Sequence, residues 1–225
     1  MKRLGFSYLT VLGIVFQFLF PSTGWTQLLN TAHDHVPHFA ANPTISSVTN
    51  GVWSNPGTWN AARVPKPSDI VTVNHIVTYD STTGAADVIG INAGGNLRFA
   101  TNKSTRLTVG TLLVLPEGTL EIGTPSTPIP ASFSAEIIFK NKPLDSVTDP
   151  DQYGTGLLSI NGTVTMHGAT KSPTFVRLGR EPRAGQMTLQ LQQAVAGWQP
   201  GDRLILPDTR HLRASVVSLT LLYIW

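Results

Sequence analysis

A nine-residue pattern that returns at a fixed spacing limits the folds open to this chain. Ile91-Asn92-Ala93-Gly94-Gly95-Asn96-Leu97-Arg98-Phe99 aligns with Val114-Leu115-Pro116-Glu117-Gly118-Thr119-Leu120-Glu121-Ile122 and with Leu158-Ser159-Ile160-Asn161-Gly162-Thr163-Val164-Thr165-Met166. Each copy reads apolar, three residues, glycine, one residue, apolar, one residue, apolar. Gly95 to Gly118 is 23 residues and Gly118 to Gly162 is 44, two steps of 22. An intermediate strand is therefore expected near Ile137 to Phe139, where the chain reads Glu136-Ile137-Ile138-Phe139. A step of this length with several short strands predicts an all-β chain wound as a right-handed parallel β-helix, each coil stacking on the one before. The recurring glycine is expected at a corner, where a tight bend needs the positive φ that glycine adopts without steric cost. A β-sandwich of hairpins is the alternative, and it predicts strand spacing without a fixed repeat.

The rest of the chain divides around that repeat. Met1-Lys2-Arg3, the apolar run Leu9 to Phe20 and the break Pro21-Ser22-Thr23-Gly24 have the order of a secretory signal peptide over residues 1–26. The run is shorter than the roughly 20 apolar residues of a bilayer span, so a secreted, extracytoplasmic protein with no membrane span after cleavage is expected. Residues 27–51 show no sustained period and are expected to be a poorly ordered leader. The β-helix domain is expected over residues 52–208, opened by Trp53-Ser54-Asn55-Pro56-Gly57-Thr58-Trp59. There Ser54 or Asn55 can cap one helical turn, and Pro56 suits its first position. Trp53 and Trp59 read as a plug over the open end of the core, with a sugar-stacking role for Trp59 as the competing reading. Met187 to Leu191 alternates as a strand would. Residues 209–225 form an apolar tail with no comparable cap, expected to be the end of a truncated stack.

Composition removes several functions. Sixteen basic and thirteen acidic side chains give +3, which falls to +1 without the signal peptide, and no segment concentrates the basic residues as a nucleic-acid binder does. Cysteine is absent, so disulfides, thiolate metal sites and thiol catalysis are excluded. No Gly-x-Ser-x-Gly elbow or phosphate-binding glycine loop occurs, and no cofactor is expected.

Trp53 to Trp59, then Val64-Pro65-Lys66-Pro67-Ser68-Asp69-Ile70-Val71-Thr72-Val73, then the glycine repeats, resemble the G-eight domain family, named for eight glycines. His167-Gly168, Pro173-Thr174-Phe175 and Gly197-Trp198-Gln199-Pro200-Gly201-Asp202 resemble the stretch that follows the domain in long members. The resemblance covers about residues 52–208 and implies a β-rich extracellular domain and, for some members, binding or breakdown of hyaluronan. Trp53, Trp59, Gly95, Gly118, Gly162, Trp198, Gly201 and Asp202 are expected to serve structure.

For ligands, Arg98, Arg177, Arg180 and Arg183 could meet an acidic polysaccharide through charge-assisted hydrogen bonds. His33, His35 and His38, with Asp34 among them, could ligate a divalent metal, but in a leader segment they read first as solvated side chains and no metal site is expected. Asp145, Asp149 and Asp151 read as a solvated turn ahead of a calcium loop. The function expected is a module that binds carbohydrate or serves as a structural or adhesion domain, and a polysaccharide-degrading enzyme, glycosidase or lyase, or a fragment of one, is the alternative. It needs two carboxylates across a groove, and Glu117, Glu121, Asp80 and Asp87 could form a pair only by stacking.

Overall fold

The computed structural model describes residues 28–183, 185–207 and 216–220. The signal peptide expected over residues 1–26 lies outside them, as does the expected tail apart from Val216–Thr220. The described chain is all-β, with one 3-10 turn, and most of its strands belong to three parallel sheets. The first sheet runs Ile45–Ser46, Ile70–Val73, Val88–Ile91, Thr111–Val114, Gly156–Ser159. The second runs Gly51–Val52, Ile76–Tyr79, Asn96–Phe99, Thr119–Ile122, Thr163–Met166. Gly84–Ala85, Thr105–Val109 and Ala135–Phe139 make the third. Within each sheet the neighbours follow chain order, so the chain visits the sheets in turn and returns beside its previous strand.

Register puts like side chains above one another. Ile45, Val71, Ile89, Leu112 and Leu157 are successive partners in the first sheet. Val77, Leu97, Leu120 and Val164 are partners in the second, and Leu107 and Ile137 in the third. Strand residues alternate between faces, so these columns converge on one core in which Val71, Val77, Ile89, Leu97, Leu107, Leu112 and Leu120 are fully buried. Each such side chain contributes about 1.5–3 kcal/mol by leaving water, which is how a chain without cysteine is held.

The 44-residue spacing is one step and not two. Leu120 pairs directly with Val164. The strand expected near Ile137 exists, but it joins the third sheet beside Thr105–Val109. The added length lies partly between Ile122 and Ala135 and mostly in the loop after Phe139, which reaches back to earlier strands. Lys140 Nζ donates to the carbonyls of Pro67 at 2.7 Å and Ala86 at 2.8 Å, and Lys142 Nζ sits 3.2 Å from Asp87 Oδ1.

The repeated glycines also serve a different purpose from the one expected. Positive φ falls one residue earlier, at Gly94 (75°), Glu117 (62°) and Asn161 (53°). A side chain at Gly95 would put its Cβ 2.1 Å from Val73 O, and one at Gly118 would stand 2.4 Å from Ile91 O. Glycine is needed because the corner packs on the backbone of the preceding coil. Gly95 and Gly118 donate their N–H groups to Asn92 O and Leu115 O at 2.9 Å, closing turns whose third residue is left-handed. Pro116 suits the second place of that turn.

At the first end of the stack, Pro56–Thr58 forms the helical turn, and Asn55 caps it by accepting from Gly57 N–H at 2.9 Å. The turn brings Trp53 and Trp59 edge to face at 5.0 Å, and Trp53 meets Tyr79 at 5.2 Å. Trp59 Nε1 donates to Trp53 O.

The lack of period before residue 45 has a physical reason, because that segment covers the stack instead of joining it. Leu28–Asn30 and His35–Pro37 form an antiparallel hairpin. Leu29, Phe39 and Ala40 then pack on the outer side of the first sheet against Val88, Leu113, Leu115 and Leu158. Past the stack, Met187 to Leu191 is not a strand: Met187 is 94% exposed, and a single bridge joins Leu191 to Leu178. Arg203–Pro207 pairs antiparallel with Val216–Thr220.

Candidate functional site

The two five-stranded sheets differ on their outer sides. Outward residues of the first sheet are buried beneath the hairpin segment: Thr72 is 4% exposed, Val88 4% and Leu113 0%. Among the described residues, the outer side of the second sheet has no such cover. Its two columns read Ile76, Asn96, Thr119, Thr163 and Thr78, Arg98, Glu121, Thr165 in register. Strands lie about 4.8 Å apart, so these columns form a mostly polar grid with threonine hydroxyls on neighbouring strands and Ile76 exposed at one edge.

Arg98 is the cation of that grid. It is exposed, and its Nε donates to Thr78 Oγ1 at 3.1 Å. Glu121 stands opposite it on the next strand. Bonding through Nε leaves the terminal N–H groups without a hydrogen-bond partner among the described residues. Such a fork suits a carboxylate, which it can meet with two parallel hydrogen bonds.

The other arginines are elsewhere. Arg177, Arg180 and Arg183 are exposed in the irregular segment after the stack, and among the described residues no hydrogen bond joins them to Arg98. Trp59 is only 2% exposed, so its ring offers no face to a sugar. That corrects its place among the ligand-binding candidates, because the capping turn folds the ring inward against Trp53.

Trp198 Nε1 donates to Pro173 O at 3.0 Å. Gly201 has φ +94°, where a side chain would be strained. Asp202 accepts from Lys171 Nζ at 2.5 Å and Gln199 N at 2.7 Å, and the Lys171 bond holds its carboxyl below the ordinary range. This pair borders an open cleft of about 470 Å³, beyond the last core residues Ile122 and Ile129, with Phe133 and Met166 on its walls.

The histidines do not assemble. His33 and His35 are exposed, His35 Nδ1 is 2.7 Å from Asn30 Oδ1, and partial burial lowers the pKa of His38. Among the described residues no three histidines or carboxylates come close enough to hold a metal ion. Asp145 is occupied by the backbone N–H groups of Val147 and Thr148, and Asp149 by those of Tyr153 and Gly154. Both brace their own loop. Of the carboxylates weighed for catalysis, Asp80 accepts from Ser54 N at 3.0 Å and Ser54 Oγ at 2.6 Å, and Asp87 pairs with Lys142.

Two arrangements escaped sequence reasoning. Asp69, 5% exposed, is gripped by both ends of the Arg63 fork at 2.6 and 2.9 Å, by Lys66 N–H and by Thr44 Oγ1. Arg63 above all holds its carboxyl well below the usual carboxylate range, against the opposing effect of burial. Prolines 65 and 67 between the partners were the available signal. Tyr153 OH donates to Asp34 Oδ1 at 3.0 Å across 119 residues, tying the late loop to the hairpin, and nothing local announced it.

Residues 58–179 match the G8 domain. The chain belongs to the G8 domain family. The match takes in the three parallel sheets from the capping turn onward and includes Arg98 and Arg177, while Arg180, Arg183 and Trp198 lie beyond it. Fibrocystin of Mus musculus is 31% identical over 157 residues, 68% of this chain and 4% of that protein. Fibrocystin of Canis lupus familiaris has the same identity and coverage. Fibrocystin-L of Mus musculus is 29% identical over 163 residues, 71% of this chain and 4% of that protein. The chain thus spans about 4% of the length of these curated relatives. No solved structure matches the chain. No helix among the described residues is long and apolar enough to cross a membrane.

Proposed function

We propose that this G8 chain is a secreted extracellular module, wound as a right-handed parallel β-helix, that binds an acidic polysaccharide of the hyaluronan type on the open side of its second sheet. The winding is supported by three parallel sheets visited in constant order, and the hand by the strong preference of parallel crossovers for right-handed connection. Binding rests on one observation: the described residues cover the outer side of the first sheet and leave the second open, with Arg98 set between Thr78 and Glu121 and held at Nε. An acidic sugar chain would place a carboxylate on the Arg98 fork and hydroxyls on Thr78, Thr119 and Thr165. Arg177, Arg180 and Arg183 supply a second cationic region along the same polymer.

Isothermal titration with acidic and neutral oligosaccharides at low salt tests this. Binding to acidic chains that weakens on the order of tenfold in Arg98→Ala, and weakens further with salt, is the expected result. Absence of binding to any acidic glycan at low salt contradicts it. Loss of hyaluronan viscosity on incubation would replace the binding module by an enzyme. A protein that is exported with residues 1–26 still attached would contradict the cleaved signal peptide.

A further inference from the structure

Two Asn-Gly sequences occur in the chain, Asn50-Gly51 and Asn161-Gly162, and the fold treats them in opposite ways. Glycine after asparagine exposes the asparagine carboxamide to attack by the next backbone nitrogen, since no side chain shields that nitrogen. What decides the reaction in a folded protein is whether the nitrogen and the carboxamide are held elsewhere.

Asn50 is held. Its Oδ1 accepts from Ile76 N–H at 2.9 Å, and Gly51 is a ladder residue opposite Val77. Asn161 is not. It is exposed, it occupies the left-handed corner at φ 53°, and no hydrogen bond engages its side chain among the described residues. The following nitrogen is the telling difference. Gly95 and Gly118, at the equivalent place in the two earlier copies, donate their N–H groups to Asn92 O and Leu115 O at 2.9 Å. Among the described residues the Gly162 N–H donates to nothing, while its carbonyl is held by Ser159 Oγ at 2.9 Å.

We propose that Asn161 is a site of spontaneous deamidation and that Asn50 is protected from it. The Gly162 nitrogen attacks Asn161 Cγ, the new N–C bond closes a five-membered succinimide, and the carboxamide nitrogen leaves as ammonia with the proton that Gly162 gives up. Water then opens either carbonyl of the ring, leaving aspartate or isoaspartate. Water is the sole co-reactant.

The consequence is local to the last coil. Isoaspartate runs the main chain through the side-chain carbon, so one backbone atom is added between Gly156–Ser159 and Thr163–Met166. Gly162 is already wedged against Val114 and the carbonyl of Leu115, where an added Cβ would lie 2.5 and 2.8 Å away. The longer corner cannot keep Thr163 N–H on Gly118 O, now at 2.9 Å, and the pairing of Thr163–Met166 with Thr119–Ile122 loosens from that point. The strand that carries Thr165 of the open face is therefore the one that ages.

The test incubates the full chain at mildly alkaline pH and follows both asparagines by peptide mass spectrometry, with methyltransferase labelling to count isoaspartate. Deamidation on the order of tenfold faster at Asn161 than at Asn50 is expected, with the difference erased when the same chain is incubated in denaturant. In aged protein, amide exchange should rise at Thr163 to Met166 and stay unchanged at Val77 to Tyr79. Equal rates at the two sites in the folded chain, or an unmodified Asn161 while the denatured chain reacts at both, overturn the proposal.

Discussion

The first and second sheets are built from the same coils, yet one has two apolar sides and the other has one. Val88–Ile91 and Thr111–Val114 are buried at every residue, whereas Asn96–Phe99 and Thr119–Ile122 alternate between buried and accessible. The cause is the segment from Leu29 to Ala40, which comes before the stack and is spent on covering the first sheet. A sheet with one solvated side reads as alternation, and one covered on both sides reads as a continuous apolar run. Exposure in this molecule is thus set jointly by the connecting segment and by the strands, whose outward residues are apolar at Val88 and Leu113 under the cover and polar at Arg98 and Glu121 on the second sheet.

The comparison breaks most visibly at Leu113 and Glu121, both outward residues. Leu113→Ala should lose about 2–4 kcal/mol in urea unfolding because it empties a packed site beneath the hairpin. Glu121→Ala should stay within about 0.5 kcal/mol. Next comes the corner at Asp69. Asp69→Asn should cost about 2–3 kcal/mol at neutral pH, since it removes the charge that Arg63, Lys66 N–H and Thr44 address. The folded carboxyl is held below its unfolded value, so its stabilisation is complete above a pH of about 4 and is lost as the pH falls from there toward the folded value. The gap between wild type and variant should narrow over that acid range.

A smaller change tests the cover itself. A Cβ on Gly90 would lie 2.5 Å from Ala40 Cβ, so Gly90→Ala should push the segment outward, cost about 1–2 kcal/mol and speed proteolysis between His33 and Ala41. The smallest effect is at the corner. Glu117 has φ 62°, so Glu117→Gly should relieve strain and stabilise by up to about 1 kcal/mol, measured by thermal unfolding.

Much of the sheet register was legible in the sequence because parallel strands paired in register repeat their chemistry. Gly95, Gly118 and Gly162 marked the corners, and Leu97, Leu120 and Val164 marked the inward column. What the repeat could not disclose was a change of step. The chain between Phe139 and Gly156 spends its residues on a loop whose Lys140 reaches back to Pro67, a contact without local periodicity. The role of the glycines was misread for a related reason. Positive φ is a property of one residue, whereas the contact of Gly118 with Ile91 O belongs to two coils at once. The open face was half legible: Arg98 and the alternation of Thr119–Ile122 stood out, but nothing local told which segment would cover Leu113.

The absence of native cysteine allows a direct measurement of that difference. Single cysteines placed at Val88 and Leu113 on the first sheet, and at Thr78, Glu121 and Thr165 on the second, can be timed against a thiol reagent in the folded protein. The second-sheet positions should react freely, and the first-sheet positions on the order of a hundredfold more slowly, limited by lifting of the hairpin segment. Equal rates at Leu113 and Glu121 would contradict a covered sheet and an open one, and with them the reading of the open side as the binding face.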